Sequence, residues 1–209
     1  MKHEWRKAEK ELYLPPTSPV LIQVPPQCFF AIQGKGDPNG EDFAKRIEVL
    51  YSLAYAVRMM PKNGFIPPGY YEYTVYPLEA VWNLTKKGQG LETLDKNELL
   101  YTLMIRQPDF ADNGTILKAF EIAGRKSQNE LLNEVVFEEF EEGLAVQILH
   151  EGPYDDEPAS FEKIDRFLEE NDLQRTSKKH KEIYLNDFRK TAPAKLKTVL
   201  RCKVEKIML

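Results

Sequence analysis

A repeat at long range is the feature of this sequence that most constrains its fold. Three pairs of residues each stand 118 positions apart: Gly34 and Gly152, Phe43 and Phe161, Leu50 and Leu168. In both regions a strand-like segment precedes the glycine, a helical pattern of apolar residues follows it, and two further strand-like segments come next. This order predicts an α+β fold built from a tandem β-α-β-β repeat. Two such halves with fused sheets leave a crevice on the face that the helices do not cover, and crevices of this kind are common ligand sites.

The repeat also divides the chain. Within a single domain over residues 1–209, we expect the first pseudo-repeat at about 20–110, connecting helices at about 111–142, and the second pseudo-repeat at about 143–209. At this length a chain can bury a sizeable core.

Several elements follow from local patterns. A strand is predicted from Tyr70 to Trp82 with a bend at Pro77, and another from Leu99 to Gln107. Thr115 is predicted to cap a helix, and a further helical run is predicted from Asn129 to Phe140.

Charge and hydropathy exclude some classes of function. The formal net charge is −4, whereas a nucleic-acid-binding protein needs a basic face to contact phosphates. No apolar run approaches the length of a membrane span, and no apolar stretch follows the first charged residues as in a secretory signal. We therefore expect a cytoplasmic protein that binds neither nucleic acid nor membrane; its oligomeric state is not predicted.

Cysteine and histidine are too sparse for a metal site. The two cysteines, Cys28 and Cys202, are far apart and form no metal-type spacing, which suits a reducing cytosol. His150 precedes a Gly-Pro turn and has no paired ligand nearby, so we interpret it as a turn-stabilising residue. No metal and no cofactor are expected.

An acidic residue inside a strand-like run near the C-terminus is the leading functional candidate. In the run from His180 to Asp187, alternation places Glu182 and Tyr184 on one face and Ile183 and Leu185 on the other. If the aliphatic face meets the core, Glu182 lies beside an aromatic ring at a concave surface. The alternative is an exposed face on which Glu182 is solvated.

Four stretches of the chain resemble one known family. They are GKGDPNGEDF (34–43), YPLEAVW (76–82), HEGPYDD (150–156) and HKEIYLNDFR (180–189). In order and spacing they are similar to the GyrI-like small-molecule-binding family, whose fold also forms the ligand-sensing part of multidrug-responsive regulators. The resemblance implies a hydrophobic, aromatic-lined pocket with a central acidic residue, matched here by Glu182. The helix-turn-helix module of those regulators is not expected, because only about twenty proline-punctuated residues precede the first strand.

A subset of stand-alone members is known to hydrolyse the cyclopropane of yatakemycin-type DNA alkylators, using an aromatic cage. The chain resembles this subset in its length, its N-terminal segment and its many aromatic residues. The resemblance implies that the protein binds flat hydrophobic xenobiotics and detoxifies such alkylators. Glu182 is then the catalytic carboxyl group, either as a proton donor or as an ionised group that orients water. A tyrosine hydroxyl, from Tyr154 or Tyr184, is the candidate donor to the developing oxyanion.

The remaining candidates are aromatic. Ligand-binding residues are expected among Trp82, Tyr71, Tyr73, Tyr101 and Tyr184. Trp82 and the three tyrosines at positions 71, 73 and 101 each have an alternative interpretation as a packing residue. Glu79 is a possible counterpart of Glu182 in the first half, with a surface or salt-bridged glutamate as the alternative. Two other functions stay open: a sequestering or sensing module without chemistry, and a protein-binding inhibitor of a topoisomerase.

Overall fold

The computed structural model describes residues 2–126 and 129–207. The helices are α1 (Trp5–Ala8), α2 (Lys10–Tyr13), α3 (Glu41–Met59), α4 (Asn113–Lys126) and α5 (Glu157–Glu170). The strands are β1 (Val20–Val24), β2 (Gln27–Lys35), β3 (Leu78–Leu84), β4 (Leu99–Arg106), β5 (Val136–Phe140), β6 (Gly143–Glu151), β7 (Leu173–Arg175), β8 (His180–Tyr184) and β9 (Lys197–Lys206). Short 3-10 helices include Glu130–Glu134 and Tyr154–Asp156. Within the described residues, no helix combines the length and the apolar character needed to cross a bilayer.

The order of elements confirms the predicted α+β repeat. The first half runs β2, α3, β3, β4, and the second runs β6, α5, β8, β9, with the short β7 added after α5. The spacing of 118 residues holds for the three pairs and fails before the helices end, because α3 has 19 residues and α5 has 14. The connections differ as well, since 18 residues separate α3 from β3 and only nine separate α5 from β8. The crevice between the halves stays a prediction.

The two glycines of the repeat serve different purposes. Gly152 has φ +131°, a conformation that favours glycine at the turn after β6. Gly34 lies inside β2, where a Cβ atom would come within 2.2 Å of the Tyr101 ring. Gly36, with φ +114°, is the residue at the turn after β2.

The chain forms two compact units. The first unit contains the residues up to Trp5, Gln27–Leu78 and Leu84–Phe140. The second unit contains Arg6–Pro26, Glu79–Asn83 and the chain from Glu141 onwards.

In the first unit, β2 lies between β4 and β5 and pairs antiparallel with both. Helix α3 packs on β2, β4 and α4. Its buried residues include Phe43, Ile47, Leu50 and Val57, the spacing that predicted this helix.

The helix predicted from Asn129 to Phe140 is wrong. Glu130–Glu134 forms a single 3-10 segment, and the following residues form β5. Phe137 lies opposite Phe30 in the β2–β5 pair, with their ring centroids 5.7 Å apart. Valine and phenylalanine pack well on a pleated surface, and this pairing outweighs the helical spacing of the leucines before it.

In the region of about 111–142, where connecting helices were expected, α4 is followed by the 3-10 segment and β5, and residues 127 and 128 lie outside the described residues. The bounds of the pseudo-repeats and of this connection stay a prediction. Thr115 was wrongly predicted as the cap of this helix. The Asp112 side chain accepts a hydrogen bond from the Thr115 N–H at 2.8 Å, and Thr115 itself lies buried inside α4.

The strand predicted from Tyr70 to Trp82 begins later than expected. Proline lacks an N–H, and β3 starts at Leu78, directly after Pro77. Before it, Tyr73 makes an isolated bridge with His3.

In the second unit the strand order is β1-β6-β9-β8-β3. Helix α5 packs on β6, and the core below it is aliphatic, with Val146, Ile148, Ile164, Leu168 and Leu200 all buried. This core fixes both α5 and the strands beside β8.

Four charged side chains of the second unit form an ion cluster: Glu79, Lys181 and Arg201, which are buried, and Glu142, which is partly buried. The Lys181 Nζ atom lies 2.8 Å from Glu142 Oε2 and 3.1 Å from Glu79 Oε2. The Arg201 Nη1 atom lies 2.9 Å from the same Glu142 oxygen. The salt-bridged interpretation of Glu79 is therefore confirmed.

Glu142 holds two cations that would otherwise repel each other. Lys181 and Arg201 are directly opposite in the β8–β9 register. Burial opposes ionisation of Glu142, but the charges and hydrogen bonds of Lys181 and Arg201 lower its pKa to about 2. Arg201 also donates to the Leu12 carbonyl oxygen at 2.5 Å and to Gln147 Oε1 at 3.0 Å. The cluster thus ties β8 and β9 to the N-terminal residues of this unit.

Replacing Glu142 by glutamine should lower the free energy of unfolding by about 3–5 kcal/mol, because it leaves buried Lys181 and Arg201 without their shared carboxylate. Urea denaturation measures this change. Glu141→Gln, at the exposed neighbouring position, is the matched control and should stay within about 0.5 kcal/mol of the wild type. Equal effects of the two substitutions would contradict the role given to the cluster.

Candidate functional site

Strand β8 buries both of its faces. Lys181 and Ile183 lie on the face of the ion cluster, and His180, Glu182 and Tyr184 share the other. Glu182 is 7% exposed, so the interpretation of a solvated glutamate is wrong. A carboxylate buried this deeply needs hydrogen-bond donors of its own.

Glu182 accepts hydrogen bonds from both of its neighbours on this face of β8. His180 Nε2 lies 3.0 Å from Glu182 Oε1, and the Tyr184 hydroxyl donates to Glu182 Oε2 at 2.7 Å. The Trp82 indole N–H, from β3, donates to the Tyr184 oxygen at 3.0 Å. This chain of donors holds the carboxylate in one orientation and leaves each of its oxygens able to accept a further hydrogen bond.

The turn between β6 and α5 brings Tyr154 to the same place. His150 Nε2 lies 3.0 Å from the Pro153 carbonyl oxygen, and His150 Nδ1 lies 2.9 Å from Ser160 Oγ. A carbonyl only accepts, so Nε2 donates to it, and the ring clamps the turn to the first residues of α5. This confirms His150 as a turn-stabilising residue. The Tyr154 ring packs edge-on against Tyr184, with centroids 6.1 Å apart.

Both tyrosines keep their protons. Burial, followed by the negative charge of Glu182, raises the pKa of Tyr154 and of Tyr184. The Tyr184 proton is engaged with Glu182, whereas Tyr154 is 37% exposed. Tyr154 is therefore the better placed of the two to donate to a ligand.

Glu157 is a second buried carboxyl group that the sequence analysis missed. It is the first residue of α5 and is 8% exposed. Burial and the nearby charge of Glu182 raise its pKa to about 9, so at neutral pH it is an uncharged acid. A signal was present in the sequence: extending the apolar stripe of Phe161, Ile164 and Leu168 back by one turn reaches position 157.

Glu157 and Glu182 thus form an interacting carboxyl pair. Glu182 accepts hydrogen bonds from its neighbours, and its charge contributes to the raised pKa of Glu157. Enzymes use such pairs to supply a base and an acid at one pH.

Trp82 lies deep in the second unit. It is 7% exposed, which favours the packing interpretation for most of its ring. Its N–H bond to Tyr184 adds a role in orienting Glu182 that sequence did not suggest. Its role as a ligand platform stays a prediction.

The other three predicted ligand residues belong to the first unit. Tyr71 and Tyr73 pack with Phe110, and the centroids of the Tyr71 and Tyr73 rings are 6.4 Å apart. Tyr73 is 1% exposed, and its buried hydroxyl has no hydrogen-bond partner in the described part of the chain. Both residues remain candidates for contact with a ligand.

Tyr101 has a structural task in the same unit. Its ring meets Phe43 edge-on at 4.9 Å and fills the space beside Gly34. Its hydroxyl donates to Asp42 Oδ2 at 3.2 Å. These contacts favour the packing interpretation of Tyr101. Its role in ligand binding stays a prediction.

The raised pKa of Glu157 should appear in the pH dependence of stability. The folded form holds the proton up to about pH 9 and the unfolded chain releases it near pH 4.5, so the contribution of this group falls as pH rises between these values. Glu157→Gln is neutral throughout. The melting temperature of Glu157→Gln relative to that of the wild type should therefore rise as pH increases from about 5 to about 9.

Thermal denaturation at several pH values measures the difference. Glu162→Gln, at an exposed position of the same helix, is the control and should run parallel to the wild type. A constant difference between Glu157→Gln and the wild type would show that Glu157 ionises as in the unfolded chain.

Comparison with protein families places most of the chain in one of them. Residues 17–204 match the profile described as the GyrI-like small molecule binding domain. A search of curated proteins finds no match.

Solved structures give the same result. A hydrolase from Listeria innocua is 34% identical, with a TM-score of 0.88 over 97% of this chain and 100% of that one. An uncharacterised conserved protein from the same organism is 35% identical, with a TM-score of 0.90 over 97% of this chain and 100% of that one. The C-terminal domain of EcmrR is 16% identical, with a TM-score of 0.51 over 90% of this chain and 97% of that one, and shares the fold alone.

Proposed function

We propose, on the premise that the chain belongs to the GyrI-like family of small-molecule-binding domains, that it binds flat hydrophobic xenobiotics and hydrolyses the cyclopropane ring of yatakemycin-type alkylators. The observation that carries this proposal is Glu182, a buried carboxylate held by two hydrogen bonds at the end of an aromatic chain of donors. A relative described as a hydrolase, at 34% identity over nearly the whole chain, supports an enzymatic function.

The reaction adds water across a strained C–C bond. Glu182 accepts a hydrogen bond from water and takes its proton as the oxygen attacks the cyclopropane methylene carbon. The C–C bond breaks, and its electron pair passes into the conjugated dienone, whose oxygen becomes a phenolate. That oxygen then takes a proton, so the sum is one substrate and one water giving one hydroxymethyl phenol. The ring gained is aromatic, so the step is downhill.

The neighbouring residues assist in distinct ways. The Tyr154 hydroxyl donates a hydrogen bond to the oxygen on which charge develops, a stabilisation that grows towards the transition state. Tyr184, His180 and Trp82 keep the Glu182 carboxylate oriented towards water. Aromatic side chains supply surfaces on which a flat polycyclic ligand can stack.

The competing function is a module that sequesters or senses a ligand without converting it. The fold shared with the C-terminal domain of EcmrR is compatible with such a module. Turnover decides between the two functions. A wild-type protein that binds the alkylator stoichiometrically and never releases the hydrated product is a binding module.

Replacing Glu182 by glutamine should lower turnover by about 10²–10⁴-fold, because the amide keeps the size of the side chain but cannot take a proton. Mass spectrometry of the ring-opened product over time measures the rate, and fluorescence titration measures ligand affinity, which should change far less. The matched control is Glu79→Gln, a buried glutamate of the ion cluster; it should reduce stability, while turnover per folded molecule stays close to the wild type. If Glu182→Gln turns over at the wild-type rate, Glu182 is not the base.

Two substitutions separate the roles of Trp82. Trp82→Phe removes the N–H that donates to Tyr184 and keeps an aromatic ring, so it should lower turnover more than affinity. Trp82→Ala removes the ring as well and should weaken ligand binding and turnover together. Equal affinity in Trp82→Ala and Trp82→Phe would exclude the ring as a ligand surface. The same assays measure both.

A further inference from the structure

Glu157 is a buried acid whose surroundings do not satisfy its hydrogen-bonding capacity. Its Oε1 atom is buried and has no hydrogen-bond partner among the described residues. Buried polar atoms in native proteins are nearly always paired, so an exception at a candidate site points to a missing partner. The aliphatic core below α5 offers none, since it consists of residues such as Ile164 and Leu168.

The polar groups around Glu157 already have other hydrogen-bond partners. Glu182, on β8, accepts hydrogen bonds from His180 and Tyr184. No hydrogen bond joins Glu182 to Glu157 in the described structure. Ser160, one turn along α5, is paired with His150. Tyr154, in the 3-10 turn before the helix, is the other titratable group close enough to interact with both carboxyl groups. The buried Oε1 atom therefore lacks a hydrogen-bond partner among the described residues, and a molecule bound at the site can supply one.

We propose that Glu157 is the acid of the site, which donates its proton to the carbonyl oxygen of the bound ligand. The inference rests on the proposed function and adds to it a second catalytic residue. The geometry behind it is a buried Oε1 atom that has no partner among the described residues, at the first residue of α5 and directly after the turn that carries Tyr154.

The proton balance is complete with the two carboxyl groups. As the C–C bond breaks, the Glu157 O–H bond breaks too, and its proton goes to the dienone oxygen, which leaves as a phenol. Glu182 holds the proton taken from water. After product release, Glu182 loses this proton and Glu157 takes one up from solvent, which restores the starting state without an oxidant or reductant.

Kinetics of Glu157→Gln with a yatakemycin-type cyclopropane dienone test the proposal. The amide keeps a hydrogen-bond donor but carries no acidic proton, so turnover should fall by about 10²–10⁴-fold. Affinity for the ring-opened product should change little. Wild-type turnover should decline as pH rises through about 9, and the residual turnover of Glu157→Gln should lack this decline. Glu162→Gln, on the exposed face of α5, should behave like the wild type.

Infrared difference spectra supply a readout that does not need turnover. In wild-type protein, adding the ring-opened product should shift a carboxylic-acid C=O band to lower frequency, and this band should be missing in Glu157→Gln. If wild-type protein shows no turnover but the band shifts, the hydrolase proposal fails and the donor role of Glu157 stands. Wild-type turnover with an unchanged band, or with undiminished rates in Glu157→Gln, overturns the role of Glu157 alone.

Discussion

The ion pairs of Lys181 are the interaction on which the rest of the second unit depends. A strand that buries a lysine and a glutamate on opposite faces is stable only if each charge is compensated locally. Glu142 and Glu79 compensate Lys181, and Glu142 also neutralises Arg201 across the β8–β9 pair. Because the charges on that face are compensated, β8 holds Glu182 in a fixed position on its other face.

Two carboxyl groups in this unit reach opposite protonation states because of the charges beside them. Glu142 is partly buried, with 15% of its side chain exposed, and still ionises, because two cations touch it. The Oε1 atom of Glu157 has no hydrogen-bond partner among the described residues, and the charge of Glu182 disfavours a second negative charge beside it. Burial alone therefore does not decide ionisation here; the sign of the neighbouring charges does.

Alternation along a strand made Glu182 predictable from sequence, since it needs only the assignment of one strand. The order of elements was predictable because apolar residues recur with different periods in helices and in strands. Glu157 was hidden in the acidic run that begins α5, where acidic residues usually face water and the helix dipole. The strand β5 was missed because its partner β2 lies a hundred residues earlier, and local periodicity carries no information on pairing. Tyr101 was among the expected ligand residues, but Gly34 opposite it makes room for its ring to pack.

The division of labour on β8 has an evolutionary consequence. Positions 180, 182 and 184 face the site, whereas Lys181 and Ile183 hold the strand in the sheet. Substitutions on the first set change the hydrogen bonds and ring contacts around Glu182 and leave the ion pairs of Lys181 in place. Evolution can thus vary the surroundings of this carboxyl group through positions 180 and 184, while purifying selection on the intervening positions preserves the scaffold.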